Sequence, residues 1–382
     1  MFLLKILFYA SLFTMFYIYA GYPMILIVLS FFLNKKVKKE DFRPTVSILI
    51  SAYNEAQSIA KTLENKLALV YPKEKLEIIV ISDGSTDETD QIVKRFEPNG
   101  VKLIRQEPRA GKTAALNLSV THATGEIIVF CDANSIYEEK ALTHLTKNFN
   151  DPGVGYVTGK MIYIRPDDAR TGDGCSAYMK YENFLRLIET RAGSIVGVDG
   201  GIDATRRKFY KEMAPDQLPD FVLPLKIIEQ GYRVVYEPEA VLEEPLLTAS
   251  KDEYNMRVRV VLRSLWTLWD MRHMLYFKDN KRFAWQLWSH KLLRYLSFVF
   301  LLTSYFTNML LWSSGGFFKI FFILQNLCYL SAIIAPCLKN KGRLSSVLYL
   351  AHYFVLLHLA SAHALVKFLL GKKQTIWTPR KG

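Results

Sequence analysis

Apolar and polar residues are distributed along this chain in blocks. Uncharged, mostly apolar runs occupy residues 6–34, 295–318, 320–338 and 344–366. A helix needs about 20 such residues to cross the ~30 Å hydrocarbon core of a bilayer. The pattern predicts four membrane segments, one at the start and three at the end, around a polar region of ordinary globular composition. The first run is too long for the apolar stretch of a signal peptide, and no small-residue cleavage site follows it. It ends in Lys35-Lys36-Val37-Lys38-Lys39. That is a stop-transfer pattern, and the positive-inside rule then puts the central region in the cytoplasm.

Within the polar region the periodicity changes. Residues 46–50, 77–81 and 127–131 are short continuous apolar runs, the pattern of strands buried on both faces. Residues 101–104 form a shorter one. Between them, Ile59, Leu63, Leu67 and Val70 mark one helical face and Ile92, Val93 and Phe96 another, and residues 112–123 form a helix stopped by Gly125. Strand and helix alternating at this spacing predict a doubly wound, mostly parallel α/β sheet. The second half is less regular. Residues 154–164 predict a strand near the sheet's edge, residues 232–236 another strand, and residues 178–190, 221–230 and 254–271 helices. Residues 194–205 hold small and turn-forming positions, including Gly197, Gly200 and Gly201. Residues 283–294, with two tryptophans and a basic side, predict an amphipathic helix lying in the membrane interface. Three crossings after it would leave the C-terminus outside, whereas the basic tail favours inside. One of the last three segments is therefore expected to be re-entrant or to lie flat.

Charge sharpens this picture. The formal net charge is +13. The basic residues cluster at 35–39, 278–294, 339–343 and 372–381, beside the apolar runs. Anionic lipid headgroups account for that placement more simply than nucleic acid. The four cysteines (Cys131, Cys175, Cys328, Cys337) have neither paired nor metal-type spacing, which fits a reducing compartment. No G-x-x-x-x-G-K-[ST] loop is present, which argues against a nucleotide-driven transporter.

Candidate chemistry sits where the apolar runs stop. Residues 127–134 read I-I-V-F-C-D-A-N. An acid at the carboxyl end of a buried parallel strand lies where open α/β sheets bind ligands. Asp132 as a charged oxygen ligand, with Asn134 as a neutral one, suits a divalent cation holding a phosphate. Asp83, at the end of a neighbouring strand, could accept hydrogen bonds from a nucleobase. Lys112 could counter a base or phosphate oxygen, and Asp220 could serve as a general base. Arg257 and Arg259 are two apart on a helix, so they would face different partners. Each residue also has an ordinary use: helix caps for Asp132, Asn134 and Asp220, an Asx turn for Asp83, and solvated basic side chains for the rest.

In this order and on these elements, the motifs carry more than they do singly. S-A-Y-N-E, S-D-G-S-T-D, R-A-G-K-T-A-A-L-N, D-A-N, G-G-I-D-A-T-R-R and P-D-F-V-L-P-L-K-I-I-E-Q-G-Y-R-V-V-Y-E-P resemble the inverting family-two glycosyltransferases of GT-A fold. The flanking apolar segments resemble those of the membrane-embedded polysaccharide synthases for cellulose, chitin, hyaluronan and poly-N-acetylglucosamine. The resemblance implies a membrane helix at 1–34, a GT-A domain at 44–271, an interfacial helix at 277–294, membrane helices at 295–370 and a basic tail at 371–382. It implies that Ala52, Tyr53, Asn54, Glu55, Asp83 and Lys112 line a nucleotide site. Asp132 and Asn134 would coordinate Mg²⁺ or Mn²⁺ on the diphosphate, and Asp220 would be the catalytic base. Gly200, Gly201 and Arg206 fall in the acceptor-side segment. Arg257 and Arg259 fall near the Q-x-x-R-W motif, which contacts the acceptor or the diphosphate. The implied partners are a UDP-sugar donor, a glycan or lipid-linked acceptor, and membrane lipids.

The sequence departs from the family at three places. Asn134 replaces the second acid of D-x-D, and Pro219 replaces an acid before the base. Met256 and Val260 stand where Gln and Trp would be. These departures keep two alternatives open: addition of one sugar to a polyprenyl phosphate, and an inactive glycosyltransferase-like subunit of a synthase complex.

Overall fold

The structure is a computed structural model that describes residues 1–164, 172–245, 250–337 and 343–376. The basic residues at 339–342 and 377–382 lie outside that set. Eight strands form one sheet: β1 (Val46–Ala52), β2 (Leu76–Asp83), β3 (Val101–Gln106), β4 (Ile127–Asp132), β5 (Ile136–Tyr137), β6 (Val154–Ile164), β7 (Asp203–Arg206) and β8 (Arg233–Pro245). Their order is β3-β2-β1-β4-β7-β6-β8-β5. The first four are parallel neighbours, and β7 is antiparallel to both β4 and β6.

The expected parallel unit is present, and the second half corrects two readings. The 154–164 strand is interior, because β7 and β8 flank it on either side. The strand β7 falls inside the stretch read as turns. Its four residues are all buried, and a strand that short leaves no alternating pattern to read.

The helices are α1 (Phe2–Phe16) and α2 (Tyr22–Leu33), joined by a π turn, then α3 (Ile59–Ala68), α4 (Thr89–Lys94), α5 (Lys112–His122), α6 (Ala141–Lys147), α7 (Gly172–Ala192), α8 (Pro219–Glu229), α9 (Ser250–Asp270), α10 (Lys281–Leu287), α11 (Leu293–Tyr295), α12 (Ser297–Leu310), α13 (Gly316–Ile334) and α14 (Arg343–Leu369). Alternate residues of a strand face opposite sides of a sheet. In β4, Ile127, Val129 and Cys131 pack with Ile59 and Leu63 of α3 and Leu142 of α6. Ile128 and Phe130 pack with Leu116 of α5, Phe221 of α8 and Leu287 of α10. The period of two places the Asp132 side chain on the second face, with α5 and α8.

Among the described residues, three helices are long and apolar enough to cross a membrane: Phe2–Leu33, Gly316–Ile334 and Val347–Leu369. The fourth expected segment is shorter. Its helix, α12, has 14 residues and spans about 21 Å, less than the hydrocarbon core. Gly315 at φ +139° then turns the chain into α13. The residues after α14 return to the sheet domain. The Trp266 Nε1 donates to the Lys372 carbonyl at 2.9 Å, and Lys373 pairs with Asp216 at 2.5 Å. The residues just after α14 therefore pack against α9 and the segment before α8.

Candidate active site

The carboxyl ends of β1, β2 and β4 open onto one crevice. The turn after β1 is latched to the turn after β2. Asn54 takes a left-handed conformation at φ +54°, which its short polar side chain tolerates. Its Oδ1 accepts from the Thr86 N–H at 2.8 Å, and its own N–H donates to Ser85 Oγ at 3.2 Å. The Glu55 N–H donates to Thr89 Oγ1 at 2.8 Å. Its carboxylate accepts from Ser58 Oγ at 2.5 Å, at the start of α3. Ala52 is buried beneath this turn.

Asp83 is buried. Its carboxylate accepts from Gln106 Nε2 at 2.6 Å, the Ala110 N–H at 2.8 Å and the Gly111 N–H at 2.9 Å. Asp83 thereby fastens the R-A-G-K loop. Arg109 of that loop stacks on Tyr53, with its guanidinium carbon 3.4 Å from the ring centroid. A flat aromatic face beside a cation at a strand end is a suitable bed for a nucleobase.

At the centre is Lys112, the first residue of α5. Its Nζ lies 2.6 Å from Asp132 Oδ1 and 4.0 Å from Asp220 Oδ1. Burial lowers its proton affinity, but the carboxylates of Asp132 and Asp220 more than reverse that and hold the ammonium charged. Asp220 is in the first turn of α8, where the helix dipole favours an anion. Gly200 lies directly against it. A Cβ on Gly200 would be 2.6 Å from Asp220 Oδ2, and its φ of +76° suits glycine. Gly201, at φ +81°, lets the backbone pass Asp132, since a Cβ there would be 3.7 Å from Asp132 Oδ2 and 3.0 Å from Leu242. Tyr137 fixes both sides of this passage by donating to the Phe130 carbonyl at 3.2 Å and the Gly201 carbonyl at 2.6 Å.

Two further residues, both buried, lie close to Lys112 and Asp220 and were not named as site candidates from sequence. Asp203 on β7 is 1% exposed, and neither carboxylate oxygen has a hydrogen bond among the described residues. Burial first, and then repulsion from Asp220, push it up to about 7. Arg263 of α9 donates to Thr113 Oγ1 at 2.8 Å and to the Gln217 carbonyl. It therefore braces the segments that hold Lys112 and Asp220. Burial and then Arg259 lower it to about 10. Arg259 is one helical turn before Arg263 and half-exposed. The four-residue spacing was the available signal for that pair.

Two of the sequence-derived residues lie elsewhere. Arg257 donates to Glu253 at 2.8 Å and to the Tyr353 hydroxyl at 2.8 Å, between α9 and α14. Arg206 is paired in register with Ile127, at the opposite end of β4. It donates to the Val154 carbonyl at 3.0 Å and to Phe149 O. Asn134 is half-exposed on the turn after β4.

Comparison with known proteins bears on this arrangement. Residues 47–214 match the family model described as glycosyl transferase family 2. That stretch of the chain is similar to a family-two glycosyl transferase domain. The matched stretch spans the N-E turn, the loop held by Asp83, Lys112, Asp132 and Asp203. It ends just before Asp220. The chain is 27% identical over 268 residues to a poly-beta-1,6-N-acetyl-D-glucosamine synthase of Staphylococcus epidermidis, covering 66% of this chain and 65% of that protein. It is 28% identical over 279 residues to the synthase of the same name in Staphylococcus aureus, covering 69% and 67%. The chain thus spans about two thirds of the length of these curated relatives. Among solved structures, the mannosyltransferase PcManGT from Pyrobaculum calidifontis, in complex with GDP-Man and Mn²⁺, superposes with a TM-score of 0.73 at 22% identity, over 96% of this chain and 99% of that one. That likeness is one of fold, and it is the GT-A fold expected from the motifs.

Proposed function

We propose that the protein is a membrane-bound inverting glycosyltransferase that moves a sugar from a UDP-sugar to a glycan or lipid-linked acceptor in exopolysaccharide or envelope-glycan synthesis. The observation that carries this reading is the Lys112 ammonium, placed between Asp132 at 2.6 Å and Asp220 at 4.0 Å. One cation joins a strand-end carboxylate suited to the donor and a helix-start carboxylate suited to the acceptor.

Asp220 takes the proton from the acceptor hydroxyl as its oxygen attacks the anomeric carbon. The bond from that carbon to the diphosphate oxygen breaks on the opposite face, and the configuration inverts. One displacement needs one base. Lys112 stays charged in this role and faces the negative charge that develops on the leaving group. The Tyr53–Arg109 stack and the Asp83-held loop bed the nucleotide. Gly200 and Gly201 let the backbone pass close beside Asp220 and Asp132.

The donor set also bears on a metal. Among the described residues no group of three His, Cys, Asp or Glu side chains could hold an ion. One carboxylate and one amide are hard oxygen ligands, too few for an all-protein site but fitting for Mg²⁺ or Mn²⁺ shared with substrate phosphates. Asp132 and Asn134 would hold it, and it would neutralise the diphosphate charge.

A single or short addition is the second reading, favoured by the arginines of α9. The Q-x-x-R-W motif set on Arg259 would need Gln and Trp at Met256 and Val260. Set on Arg263, it would need them at Val260 and Ser264. The motif is incomplete in both registers. A screen of UDP-sugars with the purified membrane protein, with and without Mn²⁺, tests the main reading. UDP release with at least one donor is expected. No release with any donor would count against it.

A further inference from the structure

Lys66 of α3 is a buried charge that the proposed reaction does not use. It is 0% exposed. Its Nζ donates to the Ser135 carbonyl at 2.6 Å and to Asn65 Oδ1 at 2.8 Å, and it sits 3.7 Å from the centre of the Tyr137 ring. Among the described residues no carboxylate pairs with it. Burial lowers its affinity for the proton to about 8, although the neighbouring Cys131 partly opposes that. An ammonium buried without a carboxylate costs stability, so stability does not explain its place.

What it holds does. Positions 62, 65 and 66 share one face of α3, and that face grips the turn after β4. Thr62 Oγ1 donates to the Ala133 carbonyl at 2.7 Å. Asn65 Nδ2 donates to the Tyr137 carbonyl at 2.9 Å, and its Oδ1 accepts from the Tyr137 N–H at 2.8 Å. With Lys66 on Ser135, the carbonyls of three alternate residues are drawn into the domain. The Ser135 N–H closes the turn on the Asp132 carbonyl at 3.2 Å. Asp132 and Asn134, which are not gripped through their own carbonyls by this face, stay half-exposed at the crevice.

We propose that Lys66 is a positioning residue for the D-A-N turn. Its ammonium fixes the Ser135 carbonyl and thereby aims Asp132 and Asn134 at the diphosphate of a nucleotide. The inference rests on the donor site proposed above.

The test uses full-length protein in detergent and two variants of position 66. Lys66→Met keeps the length of the stem and removes the donor. Lys66→Gln keeps an N–H donor without the charge. Binding of UDP and of GDP is measured for each in the presence of Mn²⁺, together with the thermal midpoint. Lys66→Met is expected to keep or raise the midpoint and to weaken nucleotide binding about tenfold, the scale of a lost hydrogen bond to a charged group. Lys66→Gln is expected to recover part of that loss. Wild-type affinity in Lys66→Met overturns the inference. So does a fall in midpoint and affinity together with no recovery in Lys66→Gln, because that assigns Lys66 to folding alone. If the wild type binds neither nucleotide, the donor-site reading itself fails, and the position-66 comparison is not what decides it.

Discussion

At the scale of single residues, Asp203 and Asp220 are neighbouring acids that differ in exposure. Asp220 is 26% exposed on its side chain and can meet an acceptor. Asp203 is sealed beneath it. The folded state raises Asp203 from 3.8 to about 7, so folded protein binds its proton more tightly than unfolded chain does. The stability this contributes is full below about pH 4 and is lost as the pH rises through about 7. Asp203→Asn removes the titration. Thermal midpoints from pH 5 to 8 are expected to fall more steeply in the wild type than in the variant, with the variant the more stable at pH 8. Parallel curves would show that Asp203 is ionised throughout. Neither Asp203 nor Lys66 was legible in the sequence. An Asp in G-I-D-A-T reads as a turn, and Lys66 falls on a helix whose neighbours look solvated. Only tertiary packing buries them. Asp132, Lys112 and Asp220 were legible because each stands at an element boundary that the apolar pattern marks.

At the scale of elements, α7 joins the sheet domain to the first apolar helix through buried charge. The Tyr22 hydroxyl donates to Glu189 at 2.5 Å, and His290 lies 2.6 Å from Glu189 and 3.2 Å from Glu182. Arg294 donates to Glu182 at 2.6 Å. Burial opposes the charge on Glu182, but Arg294 and then His290 hold its carboxyl well below the usual range. Removing one partner from such a set leaves uncompensated charge and costs about 3–5 kcal/mol. Glu182→Ala is therefore expected to lower unfolding stability by that order in detergent, measured by thermal or denaturant unfolding. A change within error would mean the network is hydrated. The residues 283–294 were read as an interfacial helix. In the fold, Phe283 and Leu287 are buried against the sheet domain, and Trp285 Nε1 donates to the Tyr17 hydroxyl at 2.8 Å. An amphipathic pattern states that one face is covered, and it does not say whether lipid or protein covers it. The first half of the sheet was readable because its strands are long, apolar and regularly spaced. In the second half β6 and the start of β8 were readable, whereas β7 and β5 are too short to carry a period.

At the scale of the molecule, Thr375 and Ile376 lie against the loop that leads into α5. The Thr375 carbonyl is 2.7 Å from where a Cβ on Gly111 would be, beside the loop that Asp83 holds. The expectation that one of the last three segments does not cross is a matter for labelling. Cysteines placed at Lys36 and Gln374 are expected to react with a membrane-impermeant reagent only from the face that carries the catalytic domain. Labelling of the two from opposite faces would overturn this arrangement. Labelling of both from that one face would put the basic residues at 35–39 and 372–373 on one membrane surface.

The central claim is that Asp220 deprotonates the acceptor while Lys112 and Asp132 hold the donor. It is tested most directly by Asp220→Asn, using the UDP-sugar that supports release in the wild type. The substitution keeps the shape of the side chain and removes the base. UDP binding and the thermal midpoint are expected to stay at wild-type values, and product formation to fall by about 10²–10⁴. Product formed at the wild-type rate by the folded Asn variant would contradict the mechanism and favour a different base or a non-catalytic role for this crevice.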